Sequence, residues 1–298
     1  MVRKQVARLT RFATAAVLLS SSLTLPPLGA LAQERPSVSQ IRLYALDCGR
    51  AEFKDFSAAS DTGTYDGKPA VLADPCFLIR HPKGWLLWDA GLPAKLPGSE
   101  GELGERELFE RLGFRMTIDV PLVVQLAALG LRPDDIGYLA FSHLHFDHVG
   151  NANLFTHATW ILNRSELAWA LATPAHVSMS PELFSAYKTV STEMIDGDHD
   201  VFGDGSVRIL KMPGHTPGSS ALLLRLPKTG AVVLSGDLYL TLEGRQHSLV
   251  PTVNANRADT LASMNRIEAI AQGLHARVIV QHDPNDFASL PKAPAFLD

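Results

Sequence analysis

The chain has 298 residues, 46% of them hydrophobic and 19% charged, which supplies material for a large core and sets it apart from disordered and fibrous proteins. Its 27 Lys and Arg stand against 31 Asp and Glu with no basic stripe, so no nucleic-acid partner, which clustered cations would hold through its phosphates, is expected. No repeat of 20–50 residues occurs, which removes solenoids and propellers.

At the N-terminus Arg3, Lys4, Arg8 and Arg11 lead into an apolar run over 12–25, and Ala30-Leu31-Ala32 offers a small-x-small cleavage site. Together they read as a secretory signal peptide over 1–32, cleaved near Ala32, with a periplasmic or secreted destination. Serines break the run, and it falls short of the ~20 apolar residues of a spanning helix. No later segment reaches that length, so no stable membrane association is expected. Loss of the leader leaves 23 basic against 31 acidic residues, a formal charge of −8. Residues 33–298 are expected to form one domain, since no Gly/Ser- or Pro-rich linker interrupts them.

Beyond the leader, short β-rich apolar runs alternate with helical patterns, which predicts an α/β architecture. Strands are predicted at 41–46, 76–80, 85–89, 138–142, 159–162, 207–211, 220–226, 231–235 and 277–281, and helices at 120–129, 165–171 and 259–271. Pro121 at a helix start and Gly130 just past its end fit the usual terminal preferences. His81-Pro82-Lys83-Gly84 reads as a hairpin turn. Cys48 and Cys76 have no metal-ligand spacing. In an oxidising compartment they could form one disulfide, and two buried free thiols are the alternative, because sequence does not fix their Cα separation. Two irregular stretches, 93–115 and 173–200, look like insertions, either binding loops or connecting surface. The acidic run over 100–110 reads as an exposed helix face.

Directly after the apolar run 136–141 comes Ser142-His143-Leu144-His145-Phe146-Asp147-His148. Three histidines and an aspartate at a strand's end have little apolar surface to cover, so packing does not explain them. On an extended segment alternate residues face the same way, so His143 and His145 can reach one metal while a tighter turn swings Asp147 and His148 towards a second. Imidazole and carboxylate donors without sulfur suit a catalytic rather than a structural zinc site. Three more donors each follow a predicted strand: His215 in Pro213-Gly214-His215-Thr216-Pro217-Gly218, then Asp237, then His282. Taken singly these are ordinary surface or turn residues. The four-residue motif needs further ligands, and they stand in a workable order.

In this pattern the chain resembles the metallo-β-lactamase superfamily, through His143-x-His145-x-Asp147-His148, then His215, Asp237 and His282. Trp88-Asp89-Ala90-Gly91 matches the Asp-x-Gly turn that precedes the metal motif there. The resemblance covers essentially the whole chain after the leader and implies a four-layer αβ/βα sandwich with two metals at one edge between central sheets. It implies that His143, His145 and His215 hold the first metal, Asp147, His148 and His282 the second, and that Asp237 bridges both. Asp89 is either an outer acceptor orienting a ligand or a plain turn residue. The implied cofactors are two Zn²⁺, with Co, Mn or Fe able to replace them.

Such a pair acidifies a bridging water and polarises a carbonyl, so the expected chemistry is hydroxide attack on an ester or lactone, with Asp147 orienting the nucleophile. An aspartate at 237 argues against a true β-lactamase, where serine or cysteine is usual at that place, and no Gly-x-Ser-x-Gly supports a serine triad. The run 142–151 and Leu43-Tyr44-Ala45-Leu46-Asp47-Cys48-Gly49 look most like the N-acyl homoserine lactonases, which implies a small-molecule lactone substrate and quorum quenching. Alternatives are an organophosphate or aryl-ester hydrolase on the same metal pair, an iron-dependent persulfide dioxygenase, and a metal-binding protein without turnover. Several of those lactonases place a substrate-contacting tyrosine three residues after the bridging aspartate. Here that position is Leu240, which leaves Tyr239 and His247 as candidate replacements, although a one-residue shift along a strand turns a side chain to the other face. Phe146, Tyr239 and the two insertions are candidates for setting substrate preference. Oligomeric state stays open, a homodimer included.

Overall fold

The computed structural model describes residues 41–93, 113–174, 176 and 178–298; the leader over 1–32, most of the 93–115 insertion and the acidic run over 100–110 lie outside the described residues. Among the described residues the strands are, in chain order, β1 Arg42–Phe53, β2 Ala70–His81, β3 Gly84–Trp88, β4 Phe114–Thr117, β5 Tyr138–Ala140, β6 Thr159–Asn163, β7 Thr192–Ile195, β8 His199–Asp200, β9 Val207–Lys211, β10 Ser220–Leu226, β11 Gly230–Leu234 and β12 Arg277–Ile279. They form a seven-stranded sheet in the order β4-β1-β2-β3-β5-β6-β7 and a five-stranded sheet in the order β12-β11-β10-β9-β8.

Successive side chains of a strand point to opposite faces, and in this chain both faces of each sheet are apolar. Leu43 and Ala45 of β1, Phe77 and Ile79 of β2, and Leu86 and Trp88 of β3 share one buried cluster with Ile209, Leu222, Leu224, Val232 and Leu234 of the other sheet. The intervening Tyr44, Leu46, Leu78 and Leu87 face away and pack with Leu122, Leu126 and Ala170 of the helices Leu122–Ala128 and Arg164–Ala170. On the second sheet, Leu210, Leu223 and Val233 turn outward onto Met264, Ile267 and Ala271 of the helix Arg257–Leu274. The layers are therefore helix, sheet, sheet, helix, the αβ/βα sandwich that the sequence resemblance implied. Strands covered on both faces need continuous apolar runs, which is why Leu222-Leu223-Leu224 shows no polar alternation. Each such side chain contributes about 1.5–3 kcal/mol when fully buried, and together they make a stiff mount for whatever sits at the strand ends.

The strands at 207–211 and 220–226 match their predicted bounds, whereas others end where tertiary hydrogen bonds take over. The strand predicted to reach 142 stops at Ala140, because the Ser142 N–H donates to Asp89 Oδ1 at 2.7 Å instead of to a neighbouring strand. The one predicted to reach 281 stops at Ile279, with the Val280 N–H donating to Asp286 Oδ2 at 2.8 Å. The stretch 173–200, expected to be irregular, is corrected in part: β7 extends the first sheet parallel to β6, and Phe184 is buried in the helix-side core. Only Ile195 of the four β7 residues is buried, as befits an edge strand, so its hydrophobic signal is faint. Of the two states left open for the cysteines, the structure has the disulfide, Cys48 to Cys76 with Cα atoms 5.6 Å apart, linking β1 to β2. No helix among the described residues is long and apolar enough to cross a membrane.

Candidate metal centre

The parallel strands β3 and β5 of one sheet and β11 and β12 of the other, together with the β9–β10 hairpin, deliver their following residues to one edge of the sandwich. A hydrogen bond from the Ser220 N–H to Ser142 O, 2.8 Å, ties the two sheets there. After β5 the chain bends at Ser142 and runs on to an extended His145, then turns into the short helix Phe146–Val149, which carries Asp147 and His148. His215 comes from the loop between β9 and β10, Asp237 from a 3-10 turn after β11, and His282 from the residues after β12.

These side chains converge. His143 Nε2 lies 2.9 Å from His145 Nδ1, which is 3.1 Å from His215 Nε2. Beside them His148 Nε2 and His282 Nε2 are 3.3 Å apart, and Asp147 Oδ2 is 3.9 Å from His148 Nε2. Asp237 stands between the two sets: Oδ2 is 3.8 Å from His143 Nε2 and 3.4 Å from His215 Nε2, while Oδ1 is 3.2 Å from His148 Nε2 and 2.9 Å from His282 Nε2. The structure thus brings all seven sequence-predicted donors together, as His143, His145, His215 and Asp237 in one group and Asp147, His148 and His282 in the other.

The donor chemistry fits metal ions. Zinc–nitrogen bonds of 2.0–2.1 Å in a tetrahedron set ligating nitrogens about 3.3 Å apart, close to the spacings observed. Burial pushes His143 and His145 well below the usual histidine range and lowers His215, which favours the neutral, metal-ligating form of each. Burial opposes the charge of Asp237, yet His282, His143 and His148 hold it well below the usual carboxylate range. Burial likewise opposes protonation of His282, but Asp237 raises it to about 9. Asp237 Oδ1 is nevertheless buried with no hydrogen-bond partner. A carboxylate oxygen that His282 faces at 2.9 Å without a hydrogen bond is an available ligand atom, and a divalent cation between the rings would replace the imidazole protons as its counter-charge.

A ring of other residues holds the donors in place. Asp89 is the outer acceptor: Oδ1 takes the Ser142 N–H, and Oδ2 accepts from Gln281 Nε2 at 3.0 Å and lies 3.1 Å from His148 Nδ1. Asp89 sits at φ 61°, where a non-glycine residue is uncommon. Gly91 at φ 62° follows, and a Cβ there would lie 2.3 Å from Cys48 Cβ, so the turn accepts only glycine. Gln281 Oε1 in turn accepts from Trp88 Nε1 and the Gly236 N–H, which fixes the approach to Asp237. Glu166, 3% exposed in the helix Arg164–Ala170, clamps the two ligand loops together. Its Oε1 accepts the Leu144 N–H, between His143 and His145, and its Oε2 accepts from Thr216 Oγ1 and the Gly218 N–H, just after His215. Sequence reasoning missed Gln281 and Glu166, since an acidic residue in a first helical turn is ordinary placement.

Tyr239, predicted to be catalytic, is corrected. The chain does not continue as a strand past Asp237 but makes the turn Gly236–Leu238, after which the Tyr239 ring packs with Leu210, Met212 and Met264 on the outer face of the second sheet. Its hydroxyl lies 3.0 Å from Glu268 Oε1, and burial together with the Glu268 charge pushes its pKa far up. Leu240 packs against Phe56, Tyr65 and Leu72, and His247 is exposed at the end of the helix Leu242–His247. Phe146 is half-buried, its ring stacked 6.5 Å from that of Phe114.

A double-sheet sandwich with five imidazoles and two carboxylates at its edge defines a metal-dependent hydrolase. The family model for the metallo-beta-lactamase superfamily matches residues 71–282, and the chain belongs to that superfamily. It is similar to the N-acyl homoserine lactonase AttM of Azorhizobium caulinodans, 30% identical over 278 residues, spanning 88% of this chain and 100% of the relative. An N-acyl homoserine lactonase of Bacillus thuringiensis is 28% identical over 256 residues, 86% of this chain and 98% of its own. Among solved structures, an N-acyl homoserine lactone hydrolase with the product N-hexanoyl-L-homoserine at its catalytic metal center superposes with a TM-score of 0.75 at 26% identity, covering 87% of this chain and 100% of that one.

If Glu166 sets the spacing of the ligand loops, Glu166→Gln, which keeps the shape but turns an acceptor into a donor, weakens metal binding by the His143, His145 and His215 group roughly 10–100-fold. Chelator-competition titration on the folded variant measures this, and an unchanged affinity would show that the clamp does not govern the ligands.

Proposed function

We propose that this chain is an exported, dinuclear zinc-dependent lactonase that opens the ring of N-acyl homoserine lactones. The observation that carries the reading is Asp237 placed between two donor groups, in a chain whose relatives are named N-acyl homoserine lactonases. His143, His145 and His215 would hold one ion, Asp147, His148 and His282 the other, and Asp237 would reach both. Zinc at both positions supplies an acidified water and a Lewis acid for the carbonyl oxygen. Five imidazoles without sulfur support that choice of metal.

The remaining tasks fall to the chain. Asp147 is 26% exposed, against 6% or less for the other six donors, so it is the donor that meets entering substrate. Asp147 would orient the attacking water and take up its proton, returning it to the ring oxygen as the acyl C–O bond breaks, so that lactone and water become one hydroxy acid. Asp89 at His148 Nδ1 and Ala73 O at His282 Nδ1 fix the orientation of both rings, leaving each Nε2 facing the centre. Phe146 and Trp169, the latter ring 6.3 Å from that of His145, offer apolar surface to an acyl chain. The leader over 1–32 and the Cys48–Cys76 disulfide both support export, because disulfides persist in oxidising compartments.

Metal-replete protein is predicted to hydrolyse N-acyl homoserine lactones in preference to phosphotriesters, aryl esters and β-lactams assayed side by side, to lose turnover on chelation and to regain it with zinc. Turnover confined to phosphotriesters, or full activity in metal-free protein, would overturn the reading.

A further inference from the structure

Asp74 has no task in the chemistry above. It lies on β2, 4% exposed, and its Oδ2 is buried without a hydrogen-bond partner. Glu166 is as deeply buried, but its two oxygens accept three hydrogen bonds. A buried carboxylate lacking such donors costs several kcal/mol unless a positive charge stands near.

Its neighbours say where that charge would be. The preceding residue, Ala73, donates its N–H to His282 O at 2.9 Å and accepts from His282 Nδ1 at 2.7 Å, so β2 is stitched to the His282 loop at this point. Opposite Asp74 the β1–β2 register shifts between Asp47 and Arg50, leaving it outside the regular ladder. Burial pushes its carboxyl well above the usual carboxylate range, and beyond burial the groups that act on it most strongly are Asp147, His148, His282 and Asp89. The first three make up the second donor group, and the fourth is the acceptor on His148. Asp74 is not one of the clustered donors themselves, so any action on that position runs through its charge and through the β2 main chain that holds His282.

We propose that Asp74 is an outer carboxylate of the second metal position, a positioning residue whose charge raises that position's affinity and makes it the harder of the two. The inference rests on the two-metal reading above. The first position draws on three imidazoles and a shared Asp237; the second draws on two imidazoles, Asp147 and the shared Asp237, with Asp89 and Asp74 behind them. Carboxylate-rich surroundings favour ions such as Mn²⁺, and imidazole favours Zn²⁺. The two positions therefore differ in ion preference, and Asp74 tunes one of them alone.

The test titrates purified metal-free protein with Zn²⁺ and with Mn²⁺ against a competing chelator, wild type beside Asp74→Asn. Wild type is expected to take up metal in two steps. In the variant the second step weakens roughly tenfold or more, by a larger factor for Mn²⁺ than for Zn²⁺, while the first is unmoved. The metal-free variant melts no lower than metal-free wild type, since an amide replaces a carboxyl whose charge burial already disfavours. Asp74→Val, which removes the polar group altogether, weakens the second step similarly and keeps the test open if the amide fails to fold. An unchanged second step, equal weakening of both steps, or metal-free variants that melt well below wild type would each overturn the proposal. Two steps in wild type with unaltered variants removes this inference alone; one step or none in wild type removes the two-metal reading and this inference with it.

Discussion

Five imidazole rings and two carboxylates stand within a few ångström of one another, nearly all of them out of water, and the rest of the structure is organised around tolerating that arrangement. Burial lowers His143, His145 and His215 while Asp237, against that burial, raises His148 and His282, and the carboxylate between them keeps its charge only because histidines on both sides oppose its desolvation. Without a counter-charge such a cluster opposes folding. The sandwich bears this cost because its inter-sheet core, built from Phe77, Ile79, Trp88, Leu222 and Leu234, lies between strands whose ends carry the donors.

Rigidity reaches the donors through their far sides. His148 is held at Nδ1 by Asp89 and Ser142, His282 at Nδ1 by Ala73 O, and the two loops carrying the first group by a single carboxylate, Glu166. Asp89 and Gln281 join the sheets, with Trp88 reaching from one sheet into the same network. The two donor groups are not equivalent in this scheme. The loops of the first are joined by Glu166, whose oxygens are satisfied by hydrogen bonds, and the second is backed by Asp89 at His148, with Asp74 proposed to act on the same group. That difference comes from residues outside the coordinating motif and would give each donor group its own electrostatic character.

Much of this was readable from sequence because the motif at 143–148 is local: the extended-then-turned backbone assigns His143 and His145 to one side and Asp147 and His148 to the other without knowledge of the fold. His215, Asp237 and His282 became legible only through the motif's need for partners, each being unremarkable by itself. The strands at 207–211 and 220–226 were legible because both faces are apolar, whereas β7 was hidden by its exposed edge. Asp89 meets Gln281 across 192 residues and Glu166 meets Gly218 across 52, and nothing in either neighbourhood announces such pairings. Tyr239, offered as a replacement for the family tyrosine with the warning that it would face the other way, follows a 3-10 turn and packs on the outer face of the second sheet.

Hydrolysis as proposed requires two cations sharing Asp237. Crystals grown with zinc and measured on either side of the zinc absorption edge give the most direct view of it. The account predicts two anomalous peaks, one among His143, His145 and His215 and one among Asp147, His148 and His282, each within bonding distance of an Asp237 oxygen. A single peak, or metal lying away from Asp237, would contradict it.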